Sequence, residues 1–245
     1  MNLIHRSFLF SAVERYGNLF FFLISTAILS RLLTPAEFGV YAFINALIVV
    51  LAASFQEFGG ANYLIQKQTL SEENIRTAFT ITMCLSVLFA VSLVETRHLA
   101  VWFFSEEGLR DGIVVAAINF LLSPFLMTIS ALLRRDMAFE KLASCNIAGS
   151  FVTAVASIAL ALFNYSFMAP ILGTIAGNAA ALALLMLSHP NMRIFRPSFT
   201  GYREVLHFGA YSSSVAVINV LYNLSPQLML GRILDFTAVG LYSRA

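Results

Sequence analysis

FLFSAVERYGNLFFFLISTAILS, residues 8–30, is the stretch on which the fold turns. Crossing the roughly 30 Å of hydrocarbon in a bilayer takes roughly 20 mostly apolar helical residues, and this run is long and apolar enough to do so. It nevertheless carries Glu14 and Arg15 about two turns in. Ser7, Ser11, Glu14, Asn18 and Ser25 follow one another at three- and four-residue steps, with Phe21 completing the series. That spacing puts the polar groups on one helix face and leaves the others to Phe, Leu, Ile and Ala. A membrane helix with one wet stripe fits a bundle enclosing a polar pathway, because ionisable groups at membrane depth face a cavity or a partner. The alternative is that Glu14 and Arg15 snorkel to the headgroups and only fix the depth of the helix.

Outward from this run, six further segments have the same character, at about 40–65, 77–95, 112–133, 146–164, 167–188 and 205–227. Strand alternation is absent, and no interval between the segments is large enough for a soluble domain. The composition agrees: 59% of the 245 residues are hydrophobic and 11% charged, against about 25% charged in a soluble domain. The expectation is an all-α, polytopic transmembrane bundle of about seven spans. This excludes a soluble enzyme, and a net charge of +2 gives no footing for nucleic acid. Residues 1–188 make a first lobe of six spans, and 189–245 an inner loop and the first span of a second lobe.

The helix breakers fall between these segments. Thr34-Pro35-Ala36-Glu37 suits the start of the second helix, and Ser71-Glu72-Glu73-Asn74 offers a cap and an acidic first turn for the third. Asn164-Tyr165-Ser166 reads as a tight hairpin, His189-Pro190-Asn191 as the end of the sixth span, and Pro124 as a kink in the fourth. With the N-terminus inside, nine Lys and Arg residues fall in inner loops and five in outer ones. The bias predicts a cytoplasmic N-terminus.

Polar residues recur in other spans. Tyr41, Asn45, Gln56 and Tyr63 share roughly one face of the second, with Glu57 just off it and Gly59-Gly60 following. At Glu57 a position at the headgroup level is an equal alternative. The seventh span holds Ser212, Ser213, Ser214, Asn219, Tyr222 and Asn223, which is too polar for a lipid-facing helix. Gly173 and Gly177 form a GxxxG in the sixth and read as helix packing. The cysteines, Cys84 and Cys145, read as small buried apolar groups. No Gly-rich phosphate loop, acidic pair or zinc spacing occurs, and His5, His98, His189 and His207 are scattered. No cofactor, metal site or enzyme activity is expected.

Three stretches carry a resemblance. SRLLTPAEFGVYAFINALIVVLAASFQEFGGANYLIQK (Ser30 to Lys67), ALLRRDMAFEKLA (Ala131 to Ala143) and MLGRILDFTAVGLYSRA (Met229 to Ala245) resemble the polysaccharide transporter family, the Wzx-type lipid-linked oligosaccharide flippases. The resemblance implies a bacterial inner-membrane protein with two six-helix lobes facing a central cavity. Such proteins flip an undecaprenyl-diphosphate-linked saccharide by alternating access, with that lipid-linked oligosaccharide and membrane lipids as partners. A diphosphate with its sugars needs cations and hydrogen-bonding groups to cross hydrocarbon. Arg15, Asn18, Asn45 and Gln56 are candidates to supply them, Glu14 to hold Arg15 or couple an ion, and Glu57 and Asn219 to complete the pathway. Family members run to about twice this length, so the chain is expected to represent a first lobe plus one helix, completed by further sequence or by a second chain. Many relatives also carry an acidic residue shortly before the Gly-Arg of Gly231-Arg232, where this chain has Pro226 and Gln227. Two alternatives stand beside the flippase: a small-cation or drug antiporter of the same superfamily, and a truncated product that transports nothing.

Overall fold

The computed structural model describes residues 3–58, 60–104, 106–188 and 192–208, and further on 222, 225–226, 229–233 and 236–244; the side chains at 3–4, 50–58, 99, 103, 236, 238 and 244 lie outside the description. The helices are α1 (Leu3–Leu32), α2 (Pro35–Phe58), α3 (Ala61–Gln66), α4 (Glu72–Phe104), α5 (Gly108–Arg135), α6 (Phe139–Leu162) and α7 (Met168–Ser188). A 3-10 turn at Met192–Phe195, a helical segment over 202–208 and a last described helix, Phe236–Arg244, follow. The described residues contain no strand. Five of these helices, α1 and α4 to α7, are long and apolar enough to cross a membrane. The 24 residues of α2 reach about 36 Å at 1.5 Å per residue, enough to span as well. Most of the seventh expected span, 205–227, lies outside the described residues.

Two expectations need correction. Cys84 is exposed, whereas Cys145 is buried as expected. Residues 40–65 do not form a single helix: α2 ends at Phe58 and α3 starts at Ala61, with Gly60 between them at φ +66. Without a Cβ, glycine takes this left-handed conformation at no steric cost, so the break is written in the sequence at Gly59-Gly60. The expected helix starts are present. Thr34 and Glu37 form a reciprocal capping box at the head of α2, with Thr34 N and Oγ1 both donating to Glu37 Oε2 at 2.8 Å. Ser71 and Asn74 make the equivalent arrangement ahead of α4. Asn164 and Ser166 take positive φ in the tight α6–α7 hairpin, and Ser166 Oγ donates to Glu37, clasping that hairpin to the α1–α2 turn.

The packing follows from small residues. A Cβ on Gly173 would lie 2.0 Å from Ser157 Oγ, and one on Gly177 would lie 1.8 Å from Thr153 Oγ1. The GxxxG of α7 is therefore the surface that brings α6 and α7 into backbone contact. Pro124 lies inside α5, which continues as one helix to Arg135. Proline has no N–H to give the carbonyl of Phe120 one turn back. The fully buried Ser86 on α4 supplies the missing bond, its Oγ donating to Phe120 O. A further polar tie, from Asn178 Nδ2 to Asn119 Oδ1 at 2.9 Å, joins α7 to α5.

At the end of the bundle away from the α1–α2 turn, polar side chains fasten the connecting segments. Arg135, the last residue of α5, donates to the carbonyls of Leu64, Lys67 and Gln68 at 2.8, 2.6 and 3.1 Å. It thus closes the C-terminus of α3, where four carbonyls lack helical partners. Arg6 pairs with Glu140. Arg76 donates to the carbonyls of Arg196 and Pro197, and Lys67 Nζ reaches Glu204 Oε2 at 2.8 Å. The Glu204 and Tyr63 oxygens hold the Lys67 ammonium above its usual pKa, and Lys67 holds Glu204 below its usual value.

Ser86→Ala should remove the hydroxyl that donates to the Phe120 carbonyl in place of the proline's missing N–H and cost about 1 kcal/mol. In a Pro124→Ala background, where an N–H returns to that carbonyl, the same substitution should cost clearly less. Thermal unfolding of the four proteins in detergent checks this; equal costs in both backgrounds would show that Ser86 does not replace the missing helix bond.

Candidate functional site

The wet stripe of α1 faces α6. Asn146 Nδ2 donates to Glu14 Oε1 at 2.6 Å, and one turn further Ser150 Oγ donates to Asn18 Oδ1 at 2.9 Å. Gly17 lets Ile147 approach between them, 3.2 Å from where a Cβ would stand. The matching stripe on α6, Asn146, Ser150, Thr153 and Ser157, was open to detection in the sequence, since it repeats at steps of four, three and four. Sequence reasoning took up the polar residues of the first, second and seventh spans and missed the stripe on α6.

Beyond Asn18 the helices part to form a cavity of about 260 Å³ walled by α1, α2, α6 and α7. Asn18, Tyr41, Asn45, Ser150, Thr153 and Thr174 supply its polar groups, and Phe21, Leu29 and Phe38 part of its apolar wall. None of the described residues lining it is charged. Asn45 is exposed at the open side and makes no hydrogen bond among the described residues. It lies ten residues into the 24-residue α2, about 15 Å from the helix start and well inside the helix.

The candidate residues therefore divide. Asn18 and Asn45 meet at one cavity, and Glu14 sits half-buried one turn from it, held by α6 rather than by Arg15. Successive helix residues point about 100° apart, so Glu14 and Arg15 diverge. Arg15 is exposed and does not line the cavity. It is in helical register with Phe22 and Thr26, which do line it, so it stands on the flank of α1 beside the cavity. Gln56 and Glu57 belong to α2, with side chains outside the description, and Asn219 lies outside the described residues. Tyr63 is buried at the far end against Lys67 and Glu204 instead of joining Tyr41 and Asn45, because the break at Gly60 resets the helical phase.

A family model described as a polysaccharide biosynthesis protein matches residues 28–245. The match begins past Glu14, Arg15 and Asn18 and covers Asn45. The lipopolysaccharide biosynthesis protein WzxC of Escherichia coli (strain K12) is 24% identical over 227 residues, which are 91% of this chain and 46% of that protein. The teichuronic acid biosynthesis protein TuaB of Bacillus subtilis (strain 168) is 23% identical over 77% of this chain and 39% of its own length. The amylovoran biosynthesis protein AmsL of Erwinia amylovora is 23% identical over 76% and 48%. The chain thus spans about half the length of the curated relatives it matches. No solved structure matches it.

Asn146→Asp should set two carboxylates against each other and lower the melting temperature in detergent. Adding Glu14→Gln returns a donor to the pair and should restore most of the loss. If the double variant melts no higher than Asn146→Asp alone, the α1–α6 bond does not form as described.

Proposed function

We propose that this chain, which belongs to the polysaccharide biosynthesis protein family, forms one wall of a transmembrane path for a lipid-linked saccharide. Its substrate is an undecaprenyl-diphosphate-linked repeat moved from the inner to the outer leaflet of a bacterial plasma membrane by alternating access, with the N-terminus cytoplasmic. The observation that carries this reading is the amide of Asn45, which makes no hydrogen bond among the described residues and opens, well inside α2, onto a polar cavity whose described lining is uncharged. A polar group without a partner inside a membrane bundle is costly. Hydroxyl-rich cargo removes the cost by hydrogen bonding, with Asn18, Tyr41, Ser150 and Thr174 offering further donors and acceptors. The cavity volume of about 260 Å³ is below the usual range for drug-sized ligands, so it serves as a subsite for part of the cargo. Arg15, beside the cavity on the open flank of α1, is the group offered to the diphosphate, since a guanidinium keeps its charge and binds phosphate oxygens in pairs. Glu57 and Asn219 remain candidates for the rest of the path.

The lining argues against the small-cation antiporter, because a cation moving through this cavity would meet no carboxylate among its described lining residues. In cells deleted for this gene, the chain carrying Asn18→Ala and Asn45→Ala should export surface polysaccharide about tenfold more slowly at equal protein level, the worth of one or two hydrogen bonds. Arg15→Ala should reduce export more than Arg15→Lys. Unchanged export in both the double variant and Arg15→Ala, or efflux of small cations in place of export, would sink the reading.

A further inference from the structure

Arg134 and Arg135 are neighbours at the end of α5, and the fold accounts for only one of them. Arg135 holds the carbonyls of Leu64 and Lys67 on α3. Arg134 leaves the helix about 100° further round. It is exposed and makes no hydrogen bond or ion pair among the described residues. It lines a second cavity, of about 330 Å³, between α3 and α5.

The lining of this cavity is graded along α5. Met127, Ser130 and Arg134 follow at steps of three and four and so share one face of the helix. Leu126 and Met127 lie about 12 Å from Arg134 along the axis, and Ile65 adds to the apolar wall from α3. Asn62 and Ser130 bring an amide and a hydroxyl. Arg134 is the one charged residue of the described lining. The 28 residues of α5 reach about 42 Å, against roughly 30 Å of hydrocarbon. A helix of that length that crosses a bilayer puts its last turn among the headgroups, and that turn carries Arg134.

We propose that the cavity between α3 and α5 binds a monoanionic phospholipid, with the phosphodiester on Arg134, the headgroup hydroxyls on Asn62 and Ser130, and an acyl chain along Leu126 and Met127. Basic pockets between membrane helices take lipid headgroups in this way. The charge selects the ligand. One guanidinium balances one phosphodiester and binds its oxygens in pairs. A diphosphate carries at least two negative charges and would meet a single cation. An ethanolamine or choline headgroup brings a cation of its own, and the described lining holds no carboxylate for it. Free inorganic phosphate would leave the apolar half of the cavity unused. The site stands apart from the transport reading. A lipid bound there touches α3 and α5 together, so it reinforces the corner that Arg135 closes.

The test measures binding of phosphatidylglycerol to the full chain in a neutral detergent, by the rise in melting temperature across a lipid titration. Phosphatidylglycerol should raise it and phosphatidylcholine should not. Arg134→Gln should weaken phosphatidylglycerol binding about tenfold, the worth of one charge-assisted bond, and Arg134→Lys should restore part of it. Lys141→Gln, which removes an exposed charge outside the cavity, should bind as the parent does. Should Arg134→Gln fail to accumulate, Ser130→Leu keeps the charge, fills the cavity and should weaken binding likewise. Equal binding with and without Arg134, equal response to the two lipids, or the same loss in Lys141→Gln would overturn the site. Tighter, Arg134-dependent binding of a polyprenyl diphosphate would overturn the phospholipid assignment and give the cavity to the cargo. Failure of the transport reading would show separately, as unchanged export in the Asn18, Asn45 and Arg15 variants.

Discussion

Inside a bilayer no water is available to satisfy a backbone N–H or C=O, so each must find its partner in the protein. The bundle is organised around that demand. Helices meet it over most of their length, and the places where they fail are where side chains intervene. Pro124 leaves the Phe120 carbonyl without its helical donor, and Ser86 crosses from α4 to provide one. The six-residue α3 leaves its last carbonyls open, and Arg135 closes them from α5. In both cases the repair comes from another helix, so satisfying the backbone also fixes how the helices stand together. A salt bridge at the surface would fix little, being screened by water; a bond that replaces a missing helical donor at a buried carbonyl is held by the cost of losing it.

The same accounting explains what the sequence did and did not disclose. Spans, helix starts and the α6–α7 hairpin are local, and Thr34 to Glu37, Ser71 to Asn74 and Asn164 to Ser166 announce them within four residues. The GxxxG of α7 is also local, although the surface it meets on α6 is not. The break between α2 and α3 was present as Gly59-Gly60 but was overridden by the continuous hydrophobicity around it. Arg134 and Arg135 are neighbours with the same side chain, yet Arg135 holds α3 while Arg134 is exposed. That difference arises from where α3 ends in space, and no spacing rule contains it. For the cavity, the stripe on α1 pointed to Asn18, and Asn45 followed from α2. Thr174 was hidden because a lone threonine on an apolar helix is ordinary until the packing of α1, α2 and α6 against α7 places it in a shared cavity.

Glu14 shows how a side chain changes meaning once its partner is known. Beside Arg15 in the sequence it invites an ion pair or a coupling role. On the helix the two diverge, and Glu14 accepts from the amide of Asn146. A carboxylate held by an amide donor from a neighbouring helix joins α1 to α6 at the edge of the cavity, and Arg15 is left exposed on the flank. The division puts the fixed polar contact against α6 and leaves Arg15, with no ion pair among the described residues, on the exposed flank of α1, where the proposed anionic cargo would meet it.

A cavity whose described lining is uncharged suits the proposed path better than a strongly charged one would. Cargo that is carried has to be released, and a site that binds one state far more tightly than the other traps the protein there. Amide and hydroxyl contacts are each worth about 1 kcal/mol net, so several of them select a hydroxyl-rich group without committing the protein to one state. A buried ion pair would be less forgiving, since breaking it at membrane depth strands a charge. The arrangement of Asn18, Tyr41, Asn45 and Ser150, with Arg15 kept outside on exposed surface, separates recognition of the neutral part of a cargo from recognition of its charge. It keeps the stronger of the two interactions off the cavity lining, which is the condition under which a phosphate could be both gathered and let go.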